Sequence, residues 1–193
     1  MNESASKRGI KRIESALENK LKSNIERVEM KHMERILAIK SHFEVTAFTD
    51  NEEAEPYIVS AGTKDILVHC AGIEGTLATL RGVPYSAILI ETPFIPFTYN
   101  NNTDRWDWAN KIATSQRKHG IILYLLHKYF PDSDIKEVSS MAARKAVYNK
   151  TNVTLDILIS IAQAKYKTYK KMSTKAELCV ADCIILQDYW SAK

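Results

Sequence analysis

Along the first forty residues, apolar positions recur at threes and fours. Ile10, Ile13, Leu17, Leu21, Ile25, Val28, Met30, Met33, Ile36 and Leu37 are separated by Lys, Arg, Glu and Asn, and between Lys7 and Ile39 there is no Pro and no Gly but Gly9. That period predicts a long amphipathic helix over 7–39, or two helices with a break near Ser23-Asn24. Such a helix packs on a core or pairs with a second copy of itself. Its interspersed charge signs, and the lack of Trp or Phe on its apolar face, argue against a membrane-surface role. From residue 42 the period shortens. Phe43 to Thr49 is rich in β-branched and aromatic residues and predicts a strand ending at Asp50. The acidic turn Asn51 to Pro56 leads into a second short strand, Tyr57 to Ala61, and the pair reads as a hairpin.

Helical spacing returns from Lys64 to Leu80 through Ile66, Leu67, Cys70, Ile73 and Leu77, with Gly72 and Gly75 marking either weak points or a close packing contact. After Gly82-Val83-Pro84 comes the run Ala87-Ile88-Leu89-Ile90, which ends on Glu91 and is stopped by Pro93 and Pro96. Four consecutive apolar residues predict a strand buried on both faces, as in the parallel part of an α/β sheet. Thr92 to Arg105 is irregular and holds Phe94, Phe97 and Tyr99, with Trp106 and Trp108 just beyond. This aromatic loop could stack on bases or fold back as a lid. Further helices are predicted at 108–129, 141–150, 155–169 and 175–190, with a short strand at 135–138.

Composition narrows the class. The 193 residues are 45% apolar, enough for one domain with an attachment, and no apolar run approaches the ~20 residues needed to span a bilayer. The N-terminal residues lack the apolar segment of a secretory signal. Cys70, Cys179 and Cys183 are odd in number and show no CxxC spacing, which points to reduced thiols in an intracellular setting, cytoplasm or nucleoid. The net charge of +4 permits a polyanionic partner. Basic residues cluster at Arg144, Lys145 and Lys150, and again from Lys165 to Lys175 with Tyr166 and Tyr169 interleaved. Such clusters can neutralise phosphates or simply solvate a helix end.

Two carboxylates stand out. Glu91 sits at the carboxyl end of a buried strand, where open α/β sheets place their ligands, although it could be only the first solvated residue beyond the strand. Asp182 lies within the apolar stretch Val180 to Leu186, and a buried acid needs a partner: a lysine, a helix N-terminus or a metal. With Asp50 they could form an all-oxygen site for a hard cation. His119 and His127 are eight residues apart without a partnering carboxylate and read as ordinary helix histidines.

The order of these pieces resembles the RNase H-like nuclease core, and the second half resembles the RuvC-type Holliday junction resolvases. A strand ending in Asp, a hairpin, a helix and a strand ending Ile-Leu-Ile-Glu follow that order. Ser115-Gln116-Arg117-Lys118-His119-Gly120 resembles the helix after the Glu strand, Val138 to Lys145 the strand leading to a basic, DNA-contacting segment, and Val180-Ala181-Asp182 the closing Asp of the last helix. The resemblance implies an RNase H-like mixed sheet flanked by helices over 42–193, behind a helical extension over 1–41. It implies a metal-dependent, structure-selective endonuclease on branched DNA, acting as a homodimer. Asp50, Glu91 and Asp182 would be catalytic and would hold Mg²⁺ or Mn²⁺, with Asp65 as a rival for Asp50. The acid or His that the family carries three residues before its final Asp is Cys179 here. Glu177, five residues before Asp182 and about 140° round the helix, is the other candidate ligand. Lys118, Arg144, Lys145 and Lys150 would contact DNA. The alternatives are a non-catalytic nucleic-acid-binding or assembly protein on the same fold, using the N-terminal helix for partner binding, and an RNA-directed hydrolase.

Overall fold

Four apolar residues followed by a charged one occur twice, Ile36-Leu37-Ala38-Ile39-Lys40 and Ala87-Ile88-Leu89-Ile90-Glu91, and they become neighbouring parallel strands at the centre of one sheet. The computed structural model describes residues 34–42, 44–60, 66–93, 105–166 and 172–193, with the side chains of its longest helix described from 108 onward. Residues 7–33 of the long N-terminal helix expected over 7–39, Asp65, the aromatic loop 94–104 and the lysines between 167 and 171 lie outside the described residues.

The strands are β1 (Ile36–Ser41), β2 (Val45–Asp50), β3 (Tyr57–Ser60), β4 (Ala87–Glu91) and β5 (Asp134–Val138). Their order across the sheet is β3-β2-β1-β4-β5. The β1–β2 and β2–β3 pairs are antiparallel, and β1–β4 and β4–β5 are parallel. The helices are α1 (Ile66–Thr79), α2 (Arg105–Tyr129), α3 (Ser140–Tyr148), α4 (Leu155–Lys165) and α5 (Thr174–Ser191). This is the mixed α/β sheet flanked by helices that the element order predicts.

One expectation is corrected. Residues 36–39, read as the end of the N-terminal helix, form β1. A short apolar run cannot be assigned to helix or strand by period alone, and no Gly or Pro separates this one from the amphipathic stretch before it. The compact unit accordingly begins at Arg35, ahead of the boundary at residue 42.

Strand alternation divides the core into two layers. Ile36, Ala38, Val45, Ala47, Ala87 and Leu89 pack against α3, α4 and α5. Leu37, Ile39, Phe48, Ile88 and Ile90 face the opposite way, onto α1 and α2. The sheet centre is therefore buried on both sides, as the unbroken apolar runs require. Helix α5 is buried at most positions from Ala176 to Gln187, which explains its apolar character nearly all round. Gly72 marks a close contact: a Cβ there would meet Val59 Cγ1 of β3 at 2.8 Å.

Candidate functional site

The same alternation decides which charged side chains meet. Register pairs Ile36 with Ala87 and Ile39 with Ile90, so Lys40 lies beside Glu91 at the carboxyl ends of both strands. Lys40 follows Ile36 and Ala38 on their face, and Glu91 follows Ala87 and Leu89 on theirs, so both point toward α5. There α5 presents Asp182. The Lys40 ammonium forms an ion pair with Glu91 and lies 3.5 Å from Asp182 Oδ2. Arg144 of α3 donates to Asp182 Oδ1 from Nε at 3.0 Å and from its terminal nitrogen at 2.6 Å. Glu91 and Asp182 are 6% and 4% exposed.

Two buried carboxylates thus share two cations. Burial raises the Glu91 pKa, and the Lys40 charge works against that rise. Burial alone would lower the Lys40 pKa, but Glu91 and Asp182 outweigh it and raise it, so the ammonium stays charged. Glu91 Oε1 is buried and accepts no hydrogen bond of normal geometry, although Ser140 lies close enough to ease its charge.

Two cavities flank Lys40, and Lys40 and His42 line both. One, of about 360 Å³, lies between Glu91 and α2 and is lined by Trp108, Lys111, Ser115 and Lys118. The other, of about 350 Å³, lies between α3, α4 and α5 and is lined by Arg144, Lys175, Cys179 and Asp182. Together they present five cationic side chains, Lys40, Lys111, Lys118, Arg144 and Lys175, against two carboxylates. Lys118 is 3% exposed and donates to the His42 carbonyl, and burial lowers its pKa to about 8. Burial and the charges of Lys40 and Lys118 lower the His42 pKa as well.

The structure brings Glu91 and Asp182 together and leaves Asp50 elsewhere. Asp50 pairs with Leu37, three residues up β1 from Lys40, or roughly 10 Å along the strand. It also shares the Leu37 and Phe48 face, so the sheet separates it from Asp182. Arg35 Nε and the Tyr85 hydroxyl donate to its Oδ2, both at 2.9 Å, and the Glu52 backbone N–H donates to Oδ1 at 3.0 Å. Glu177 occupies the first turn of α5, where a negative charge suits the helix N-terminus, and lines neither cavity. Of the basic residues predicted to meet DNA, Arg144 turns inward to Asp182 and Lys118 lines the first cavity. Lys145 and Lys150 line a separate open groove of about 460 Å³ around Asn149, which caps α3 in the left-handed conformation. Sequence reasoning missed Lys40, His42 and Lys111. The signal available for Lys40 was the repeated apolar run ending in a charge.

The Mg²⁺ or Mn²⁺ site implied by the resemblance does not fit these donors. The strand beside β4 carries an ammonium where the resemblance implies an acid, and Arg144 holds one oxygen of Asp182. Burial pushes the Cys179 thiol up to about 12, so it is a neutral group of the wrong softness for a hard cation. Among the described residues no three His, Cys, Asp or Glu side chains group in a way that could hold a metal ion.

The architecture is that of a RuvC-like, RNase H-like α/β domain. The chain is similar to the structure of RuvC from Thermus thermophilus, with a TM-score of 0.55 and 9% identity over 82% of this chain and 95% of that one. It is similar to the same degree, at 8% identity, to T. thermophilus RuvC in complex with a Holliday junction substrate. No protein-family model matches the chain, and no curated protein matches it by sequence. Among the described residues no helix is long and apolar enough to cross a membrane.

Proposed function

We propose that this protein binds branched DNA through the cation-lined clefts around Lys40 and does not cleave it. The observation that carries this reading is Lys40 itself, paired with Glu91 and close to Asp182 at the end of β1. The fold likeness to RuvC bound to a Holliday junction supports the class of partner. Phosphates would lie across the mouths of the two cavities and meet Lys111, Lys118 and Lys175 (the last also paired with Glu44 at 2.8 Å). Lys145 and Lys150 extend the track along α3. Set against Glu91, Asp182 and the Glu44 partner of Lys175, the five cleft cations leave an excess of two positive charges. Neutralising two phosphates would lower affinity roughly 12-fold between 50 and 200 mM salt. A four-way junction is two-fold symmetric, so a homodimer would present one cleft to each half.

The second reading is a metal-dependent resolvase, and the closeness of two buried carboxylates, Glu91 and Asp182, favours it. Labelled four-way junction, linear duplex of the same sequence and RNA–DNA hybrid, each with Mn²⁺ and with EDTA, separate the two. Junction-selective binding in both buffers with intact strands is the expected result. Symmetric cuts that need metal and vanish in Glu91→Gln and Asp182→Asn would overturn it in favour of the resolvase. Cleavage of the hybrid alone would assign the RNA-directed hydrolase.

A further inference from the structure

We infer that Lys40 is a built-in substitute for a divalent cation: its ammonium occupies the cation position between Glu91 and Asp182, keeps metal out, and conceals a divalent-metal site that its removal opens. The inference deepens the reading of this same site and rests on the RuvC-like placement of β1, β4 and α5.

Three observations support it. The first is geometric. Lys40 pairs with Glu91 and lies 3.5 Å from Asp182, so one positive group bridges two carboxylates delivered by separate elements. Bridging carboxylates from separate elements is also how a hard cation is bound. The second is the charge balance. Two carboxylates, 6% and 4% exposed, face two cations, Lys40 and Arg144. Ions this buried persist only when compensated, and here compensation is complete. A divalent ion entering beside Lys40 would meet two cations at close range with no net negative charge to hold it. The third is an unused acceptor. Lys40 pairs with Glu91 through Oε2, so the buried Oε1, with the Ser140 side chain nearby, keeps ligating capacity that Lys40 does not consume. Truncating Lys40 leaves Glu91, Asp182 and Arg144 with one excess negative charge, a vacated volume between two carboxylates, and an Oε1 that Lys40 never engaged. Water would fill the remaining coordination positions, as it does at most sites for such ions.

The test uses the full chain and Mn²⁺ alone, without DNA. Free Mn²⁺ is counted by electron paramagnetic resonance during titration, and thermal midpoints are recorded in EDTA and in millimolar Mn²⁺. The wild-type midpoint should be the same in both buffers, and no Mn²⁺ binding should depend on Glu91. Lys40→Ala should melt lower than wild type in EDTA, recover in Mn²⁺, and bind one Mn²⁺ at least about tenfold more tightly than wild type. That gain should vanish when Asp182→Asn is added. Should Lys40→Ala fail to fold in EDTA, refolding that requires Mn²⁺ supports the inference. The wild-type titration decides independently of any variant: one Mn²⁺ bound by wild type and lost in Glu91→Gln shows that metal and Lys40 coexist, and overturns it. A Lys40→Ala protein indifferent to Mn²⁺ overturns it as well. Junction binding in EDTA is a separate measurement, and its failure would remove the DNA reading while leaving the Mn²⁺ result intact.

Discussion

Asp50 offers the sharpest test of the placement described above, because the order of elements in the sequence makes it a site ligand and the fold makes it a structural anchor. Its side chain is wholly buried. Oδ2 accepts from Arg35 and from the Tyr85 hydroxyl, and Oδ1 accepts from the Glu52 backbone. Asp50→Ala therefore has two costs of different size. Arg35 is not stranded, since Glu53 lies 2.8 Å and Glu52 3.4 Å from its guanidinium, so the lost charge-assisted bond costs about 1.5–2 kcal/mol. The Tyr85 ring is 4% exposed and packs edge-on against Phe130 at 5.7 Å, so its hydroxyl loses its acceptor while remaining buried, at about 1–3 kcal/mol. Together these predict a loss of about 2.5–5 kcal/mol.

With a urea slope of about 2 kcal/mol/M for a unit of this size, the unfolding midpoint should fall by about 1.2–2.5 M. Asp50→Asn keeps an acceptor for Tyr85 and should lose about half as much. Adding Tyr85→Phe to Asp50→Ala removes the orphaned hydroxyl and should restore part of the loss, so the two changes are not additive. Junction affinity of the folded protein should stay within about twofold of wild type, since the sheet lies between Asp50 and the clefts. A loss below about 1 kcal/mol would refute the anchoring role. A tenfold loss of junction binding in folded protein would refute the separation from the site.

Other outcomes follow from the same geometry. His69 is 2% exposed, bonded through Nε2 to the Thr46 hydroxyl at 2.9 Å, and burial lowers its pKa to about 4. The unfolded chain takes up that proton below about pH 6.5 and the folded chain only near 4. Stability should therefore fall by about 2–3 kcal/mol as pH drops through this window, and His69→Gln should flatten the profile, read by urea unfolding at pH 4.5 and 7. For Lys118 the sign is the same, in the alkaline range. Its pKa of about 8 leaves the folded protein short of a proton relative to the unfolded chain between about pH 8 and 10.5. Stability should rise with pH there, while junction binding weakens as the cleft loses that charge; Lys118→Met should remove both trends. Cys179, 2% exposed with its thiol pushed up to about 12, should resist iodoacetamide at pH 8 in native protein and react only on unfolding, followed by mass spectrometry.

Much of the architecture is legible from the chain. The hairpin β2–β3, the strand ending at Glu91, the short β5 and the helices α1 to α5 all lie within a few residues of where periodicity predicts them. The pairing partners are not legible, and the site depends on them. The hairpin strand ending in Asp50 reads as the first strand of the sheet only when Ile36 to Ile39 are counted with the preceding amphipathic stretch. Once β1 is inserted, β2 runs antiparallel to it, and Asp50 moves to the opposite end of the sheet from Glu91. A single misassigned strand of six residues thus exchanges a proposed ligand for a structural anchor. Glu91 and Asp182 survive that shift because neither depended on it: one ends a run apolar enough to be central, the other sits in a helix too apolar to be anything but buried.

A lysine after an apolar run is the commonest way for a strand to meet solvent, so the sequence offers no reason to bury Lys40. Only the register shows that its neighbour is Glu91, and only α5 shows that Asp182 closes the group from above. The same three positions with an acid in place of Lys40 would present three carboxylates and no cation from β1, a set that demands a metal. With lysine the set is balanced by covalent charge. If Lys40 excludes metal as inferred, a change of sign at one strand position separates a domain that recruits a divalent ion from one that refuses it, with the sheet, the helices and both carboxylates unaltered. Selection on binding alone would keep the cationic clefts and tolerate that change, whereas selection on phosphodiester hydrolysis would not. On the reading proposed above, Lys40 is the residue through which fold likeness and activity come apart in this chain.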